Sequence, residues 1–165
     1  MATKLADGCW WLDLGNVNCY LADDDGSLTL VDAGTPFDYG RIAAGVRDAG
    51  YDVADVDRVL VTHYDFDHVG ALARLADLDA PVYVGAADAP LLSGERRPNW
   101  RNHKGALQRV TRPLLSAPDC PVRAVDDGDA IGSFTAYHTP GHSPGHVAYV
   151  SETLDAAFLG DLVRE

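Results

Sequence analysis

Two histidines and two aspartates fall within six positions, His63, Asp65, Asp67 and His68, directly after the apolar run Val59-Leu60-Val61. Imidazole and carboxylate are ligands of zinc, iron and manganese, so this density points to metal chemistry. If the chain stays extended beyond Val61, side chains two apart share a face, and His63, Asp65 and Asp67 converge. A helix beginning near His68 then turns that residue toward the same side. Downstream, Thr139-Pro140-Gly141-His142-Ser143-Pro144-Gly145-His146 and Phe158-Leu159-Gly160-Asp161 repeat the arrangement, with His and Asp leaving the end of an apolar segment. Three such stretches suggest one polynuclear site built on strand ends. Taken singly, Asp67 reads as a helix N-cap and His63 as a surface residue at a strand end. Four of them so close together, echoed by His142 and Asp161, read as a site.

Holding such residues in place takes buried strands and short returns. Residues 56–62 form a near-continuous apolar run, the mark of a strand buried on both faces. Upstream, residues 9–14, 17–21 and 27–31 read as three strands of a meander, joined by Gly15-Asn16 and Asp23-Asp24-Asp25-Gly26. The spacing of Ile42, Val46 and Ala49 predicts a helix over 37–49, with Gly50 at its C-terminal cap. Residues 68–75 read as a further helix and 82–84 as a short strand, an alternation that predicts an α/β fold. From 86 to 117 the pattern loosens. There 104–115 reads as a helix, and 95–101 is a basic island, either a solvated loop or a lid contacting a carboxylate or phosphate on a substrate. Strands resume at 122–125, 134–138, 146–150 and 156–159.

Composition narrows the function classes. At 165 residues, 47% hydrophobic and 8% aromatic, the chain reads as one globular domain. No apolar run approaches the roughly 20 residues that span a bilayer, and the first residues lack the apolar stretch of a secretory signal. The cytoplasm is therefore the expected location. Cys9, Cys19 and Cys120, odd in number and far apart, indicate neither a disulfide framework nor a CxxC zinc site. The formal net charge is −12, all but three of the 25 acidic residues are aspartate, and lysine occurs only at 4 and 104. Such a surface repels nucleic acid and anionic membrane, which argues against both as partners. It suits concentrated salt, where the Debye length falls to about 3 Å at 1 M and crowded like charges cost little. The expectation is a halophilic protein that loses stability in dilute buffer.

Asn18 in Asn-Cys-Tyr-Leu, the run Leu30-Val31-Asp32-Ala33-Gly34-Thr35, the cluster from Thr62 to His68, the segment from Thr139 to His146, and Gly160-Asp161 fall in one order. In that order and over nearly its whole length the chain resembles the metallo-beta-lactamase superfamily, whose members carry His-x-His-x-Asp-His after a buried strand. The resemblance implies an αβ/βα sandwich and two divalent metal ions. Carried over residue by residue, it implies that His63 and His142 bind the first metal, that Asp67 and His68 bind the second, and that Asp161 bridges the pair. Asp32 would support the ligands by hydrogen bonding without touching metal; an ordinary strand-end turn at Asp32-Ala33-Gly34 is the plainer alternative.

Two departures from the pattern carry consequences. Asp65 stands where the family has its second histidine, adding one negative charge to the ligand set. That favours harder metals, so iron or manganese rivals zinc, the first choice; otherwise Asp65 points away and the site holds one metal. The flavodiiron branch of the family also has a carboxylate at this position. Further, no histidine follows His146, so the family's last ligand has no counterpart. The expectation is a sandwich incomplete at the C-terminus, a shortened form or one completed by a partner chain, with self-association as one way to cover the exposed sheet.

The implied activity is hydrolysis of a small-molecule thioester, lactone or related ester, as in the glyoxalase II-like branch the chain most resembles. Asp67 is the candidate catalytic residue, guiding the proton of the attacking water. An iron-dependent redox enzyme and a catalytically impaired metal-binding remnant are the alternatives. His146 is either a supporting residue or structural; His138, His103 and the thiols are expected to lie outside the ligand set.

Overall fold

The computed structural model of the chain describes residues 1–15, 17–75, 80–98, 108 and 110–163. Among these, seven strands make one sheet in sequence order: β1 (Ala2–Ala6), β2 (Cys9–Asp13), β3 (Asn18–Asp24), β4 (Ser27–Val31), β5 (Val56–Val61), β6 (Val82–Gly85) and β7 (Val122–Val125). The first four pair antiparallel through short turns, and β4 through β7 pair parallel. Parallel neighbours need crossovers. Helix α1 (Tyr39–Asp48) supplies the first, and α2 (Phe66–Val69) with a 3-10 turn at Leu72–Arg74 the second. The third contains α3 (Ala89–Leu92). A second, antiparallel sheet follows, in the order β11 (Ala156–Phe158), β10 (Val147–Ser151), β9 (Phe134–His138) and β8 (Ala130–Ile131).

Alternation along the strands sorts the apolar residues into two cores. Leu30, Val59 and Val61 face α1 and meet Ile42 and Val46, while Val31 and Leu60 face the second sheet and meet Phe134, Val147 and Tyr149. Each fully buried side chain of this kind contributes about 2 kcal/mol. The inner strands are thus covered on both faces, as the apolar run at 56–62 implies, and helix–sheet–sheet layering follows. Among the described residues no helix covers the outer face of the second sheet, and none is long and apolar enough to cross a membrane.

Several boundaries move from those read off the sequence. The helix expected over 37–49 starts at Tyr39, because the Asp38 carboxylate is engaged by the Thr35 N–H and hydroxyl at 2.9 and 2.6 Å in a turn. The helix expected over 68–75 breaks into α2 and a 3-10 turn. Gly70 lies between them, where the backbone passes so close to Pro36 that a Cβ would fall 2.4 Å from it. β1 and β8 have no clear apolar signature; β1 is an exposed edge whose partner, β2, alone defines it. Of the helix expected over 104–115, residues 104–107 and 109 lie outside the described residues, and its last part is a 3-10 turn at Arg112–Leu114.

Candidate metal centre

The parallel strands end at one edge of the sandwich, where open α/β sheets place their ligands. Asp32 follows β4 and residues 62–68 follow β5. The connection from β9 to β10 brings His142, and a 3-10 turn at Gly160–Leu162 brings Asp161. The Val147 N–H donates to Thr62 O at 2.8 Å, tying the two sheets together at this point. Gly160 allows the last approach: its φ is +53°, and a Cβ there would fall 2.6 Å from Thr62 Oγ1.

Asp32 organises the cluster. It is buried and held in a left-handed backbone conformation (φ +60°), which aspartate tolerates better than most residues. Its Oδ1 accepts from the Thr62 N–H at 2.8 Å, and its Oδ2 accepts the Thr62 hydroxyl at 2.8 Å and faces His68 Nδ1 at 2.9 Å. Having given its proton to Asp32, Thr62 Oγ1 can only accept from His63 Nδ1, 3.0 Å away. In neutral rings, Nδ1 therefore carries the proton on both His63 and His68, and each Nε2 lone pair turns into the site.

Carboxylates face those lone pairs. Asp65 Oδ2 lies 3.0 Å from His63 Nε2 and 2.9 Å from His142 Nε2. Asp161 Oδ1 lies 3.3 Å from His68 Nε2, and its Oδ2 3.4 Å from His142 Nε2. Two groups of three result, His63–Asp65–His142 and His63–His68–Asp161, each with ligand atoms within 4.8 Å of one another. A lone pair opposite a carboxylate oxygen repels it unless a proton or a cation lies between. Tetrahedral bonds of about 2.0–2.1 Å would space ligand atoms about 3.3 Å apart, close to these distances. His68 Nε2 is moreover buried, and its contact with Asp161 is not aligned as a hydrogen bond. The donor set thus fits a divalent cation.

The electrostatics agree with this geometry. Burial opposes charge on His68, yet the carboxylates of Asp32, Asp161 and Asp67 outweigh it and raise its pKa to about 10 in the metal-free protein. Pairing with His68 holds the Asp161 carboxyl far below the usual range against its partial burial. Burial, reinforced by His63 and His142, pushes His146 down to about 4. That ring is fully buried 5.1 Å from His63, with Nδ1 2.8 Å from Thr139 Oγ1 and Nε2 unpartnered.

Of the residues singled out in the sequence, His63, Asp65, His68, His142 and Asp161 enter the two groups, and Asp67 does not. His63 and Asp65 converge across a tight turn, in which the Asp65 N–H donates to His63 O at 3.1 Å, and α2 then carries Asp67 and His68. Asp67 lines instead, with His68, Asp161, Tyr20 and Asn18, a cavity of about 580 Å³. His138 is exposed and reaches Pro144 O at 2.9 Å, while His103 lies outside the described residues. Cys19 is buried with its thiol 3.2 Å from Asp32 O, and burial raises the pKa of all three thiols. Three contributors were not singled out in the sequence: Thr62; Gln108, which donates to Asp65 Oδ1 at 2.8 Å; and Asp88, a buried carboxylate. Only Thr62, a polar residue ending an apolar strand, carried a local signal.

A two-sheet sandwich with a His/Asp cluster at one edge defines a class of metal-site folds, and the comparisons specify it. Residues 12–165 match the metallo-beta-lactamase superfamily, and the chain belongs to it. It is 26% identical over an alignment of 173 positions to the probable metallo-hydrolase YflN of Bacillus subtilis, covering 97% of this chain and 66% of that protein. It is 30% identical over 147 positions to the hydroxyacylglutathione hydrolase of Erwinia tasmaniensis, covering 86% and 44%. Among solved structures it is similar to BJP-1, a subclass B3 metallo-beta-lactamase of Bradyrhizobium japonicum, with a TM-score of 0.73, 29% identity and coverage of 94% and 59%. The chain spans less than two thirds of the length of these relatives. Its kinship is with hydrolases.

Proposed function

We propose that the protein is a metal-dependent hydrolase that opens a thioester, lactone or related ester of a small molecule. The observation that carries this reading is the pair of His/Asp groups sharing His63, whose imidazole nitrogens converge on carboxylate oxygens and whose His68 Nε2 is buried without a hydrogen bond. A divalent metal bound there supplies Lewis acidity, acidifying a water and polarising a carbonyl oxygen. The chain's own residues do the rest. Asp32 and Thr62 fix the tautomers of His68 and His63, and Asp161 faces both groups. Asp67, half-buried on the cavity wall, is placed to take a proton from a water in that cavity. A volume of about 580 Å³ suits a small molecule. The likeness to a hydroxyacylglutathione hydrolase supports the thioester class.

Zinc is the proposed metal, two ions per chain. Iron or manganese is the rival, and one observation favours it: Asp65 points into the His63–His142 group, making its ligand set harder. Elemental analysis of protein purified without added metal, with a panel of thioesters and lactones, tests the reading. Two zinc per chain and turnover that a chelator abolishes are expected. Iron with a visible absorption band moves the protein to redox chemistry; under half an equivalent of any metal, with no turnover, overturns the proposal. The acidic surface supports a halophilic cytoplasm, and a melting temperature that stays flat from dilute buffer to molar KCl counts against it.

A further inference from the structure

We infer that Asp88 is a positioning residue, the single acceptor that fastens the two ligand-bearing loops together and so sets the spacing of Asp65 and His142. The inference rests on reading His63, Asp65 and His142 as a metal group. Asp88 follows β6 and occupies the N-cap position of α3, where an aspartate ordinarily caps its own helix. Its side chain makes no such bond. Only 1% exposed, it reaches out of its element instead: Oδ2 accepts from the Tyr64 N–H at 2.9 Å and from the Ser143 hydroxyl at 3.1 Å. Tyr64 lies between His63 and Asp65, and Ser143 follows His142. One oxygen atom therefore bridges the two loops, one residue away from the ligands on each side.

The backbone is shaped to keep that bridge short. A Cβ at Gly145 would fall 2.4 Å from Asp88 Cγ, and one at Gly85 would fall 2.1 Å from Gly145 O. The turn after β6 thus packs directly on the loop that carries His142, with no side chain between. A buried carboxylate is costly unless its hydrogen bonds are made, and here both acceptances fall where they hold ligands. The outcome of that clamp is the pair of contacts at Asp65 Oδ2, 3.0 Å to His63 Nε2 and 2.9 Å to His142 Nε2. Removing the shared acceptor frees the loop at His142, whose tie to β5 is then the bond from Val147 N–H to Thr62 O at 2.8 Å, beyond the ligand.

Zinc affinity, measured by competition with a chromophoric chelator, and the cobalt(II) visible spectrum test this on full-length Asp88→Ala, Asp88→Asn, Ser143→Ala and, as a control, Arg58→Met. Supporting residues of this kind change metal affinity by about 10- to 100-fold. Asp88→Ala is expected at the upper end of that range with a weakened cobalt band, and Ser143→Ala, which removes one of the two bonds, at the lower. The amide oxygen of Asp88→Asn can accept both bonds and should restore most of the affinity. Arg58→Met lowers the melting temperature without touching the site and should bind like wild type. Unchanged affinity in Ser143→Ala and in folded Asp88→Ala overturns the inference, as does Asn at 88 no better than Ala. An equal loss in Arg58→Met also overturns it, by tracing the effect to general stability. If Asp88→Ala does not fold, Ser143→Ala and Asp88→Asn decide. A wild type that takes up no zinc fails earlier: it breaks the metal reading itself, and this inference with it.

Discussion

Buried polar clusters stand at both ends of β5, assembled from similar parts to opposite ends. Near its start, Arg58 Nη2 meets Asp24 Oδ2 at 2.9 Å and Nε donates to Thr29 Oγ1 at 2.7 Å. The Ser133 N–H donates to the same Asp24 oxygen at 2.8 Å, and the guanidinium lies over the Phe134 ring at 5.6 Å. Donors meet acceptors there, and positive charge meets negative. Beyond the other end of β5, imidazole lone pairs face carboxylates, and the Nε2 atoms of His68 and His146 are buried without a hydrogen bond. A satisfied buried cluster joins two sheets. One whose acceptors converge on each other needs a proton or a cation between them.

The comparison breaks most sharply if removing a ligand leaves metal in place. His63→Ala and His142→Ala are expected to drop zinc content at the first group and turnover to background, while His103→Ala keeps both; equal loss in all three variants would mean the ligands are misassigned. Next in size is Asp32→Asn. Asparagine also accepts a left-handed backbone, but one of its two side-chain atoms becomes a donor. An NH₂ opposite His68 Nδ1 drives the ring proton to Nε2 and removes the lone pair from the site, so metal affinity should fall about 100-fold. Nitrogen NMR shifts of the His68 ring report the tautomer, and an unchanged tautomer would refute the account.

The other cluster sharpens the contrast in the opposite sense. Arg58→Met strands Asp24 in a mostly buried position and should cost about 3 kcal/mol, roughly 10 °C in melting temperature, with metal content intact. The smallest effect is on protons. The His68 pKa is raised from an ordinary 6.5 to about 10 without metal, so the stabilisation from its protonated ring is full below pH 6.5 and lost as pH rises through 10. The metal-free protein should therefore melt progressively lower between pH 7 and pH 10. Loading a cation needs the neutral ring, so uptake at pH 7 should release about one proton from His68. Calorimetric titration in buffers of different ionisation enthalpy measures that release, and heats independent of the buffer would rule it out.

Much of the fold was legible where segments announce themselves locally. The apolar run ending at Val61 is a strand buried on both faces because only a strand covered on both sides can be apolar throughout, and the period of Ile42 and Val46 likewise suits one covered helix face. β1 was not legible: its residues are exposed, and its pairing with β2 is what makes it a strand. The site divides in the same way. His63, His68, His142 and Asp161 stood out by type and setting, while Asp88 is one aspartate among many in an acidic chain, distinguished only by burial.

By itself, the sequence determined which side chains can hold a metal and that each follows a strand-like segment, since ligand chemistry belongs to residue type and strand character to a short window. Which of them meet was decided by tertiary structure alone. Asp65 touches His142 across 77 positions, and Asp67 stands outside both ligand groups, on the wall of the cavity it shares with His68 and Asp161. Such choices depend on where chain segments pass in space, on close approaches at Gly145 and Gly160 and on the tautomers Asp32 imposes, and no local window of residues contains that information.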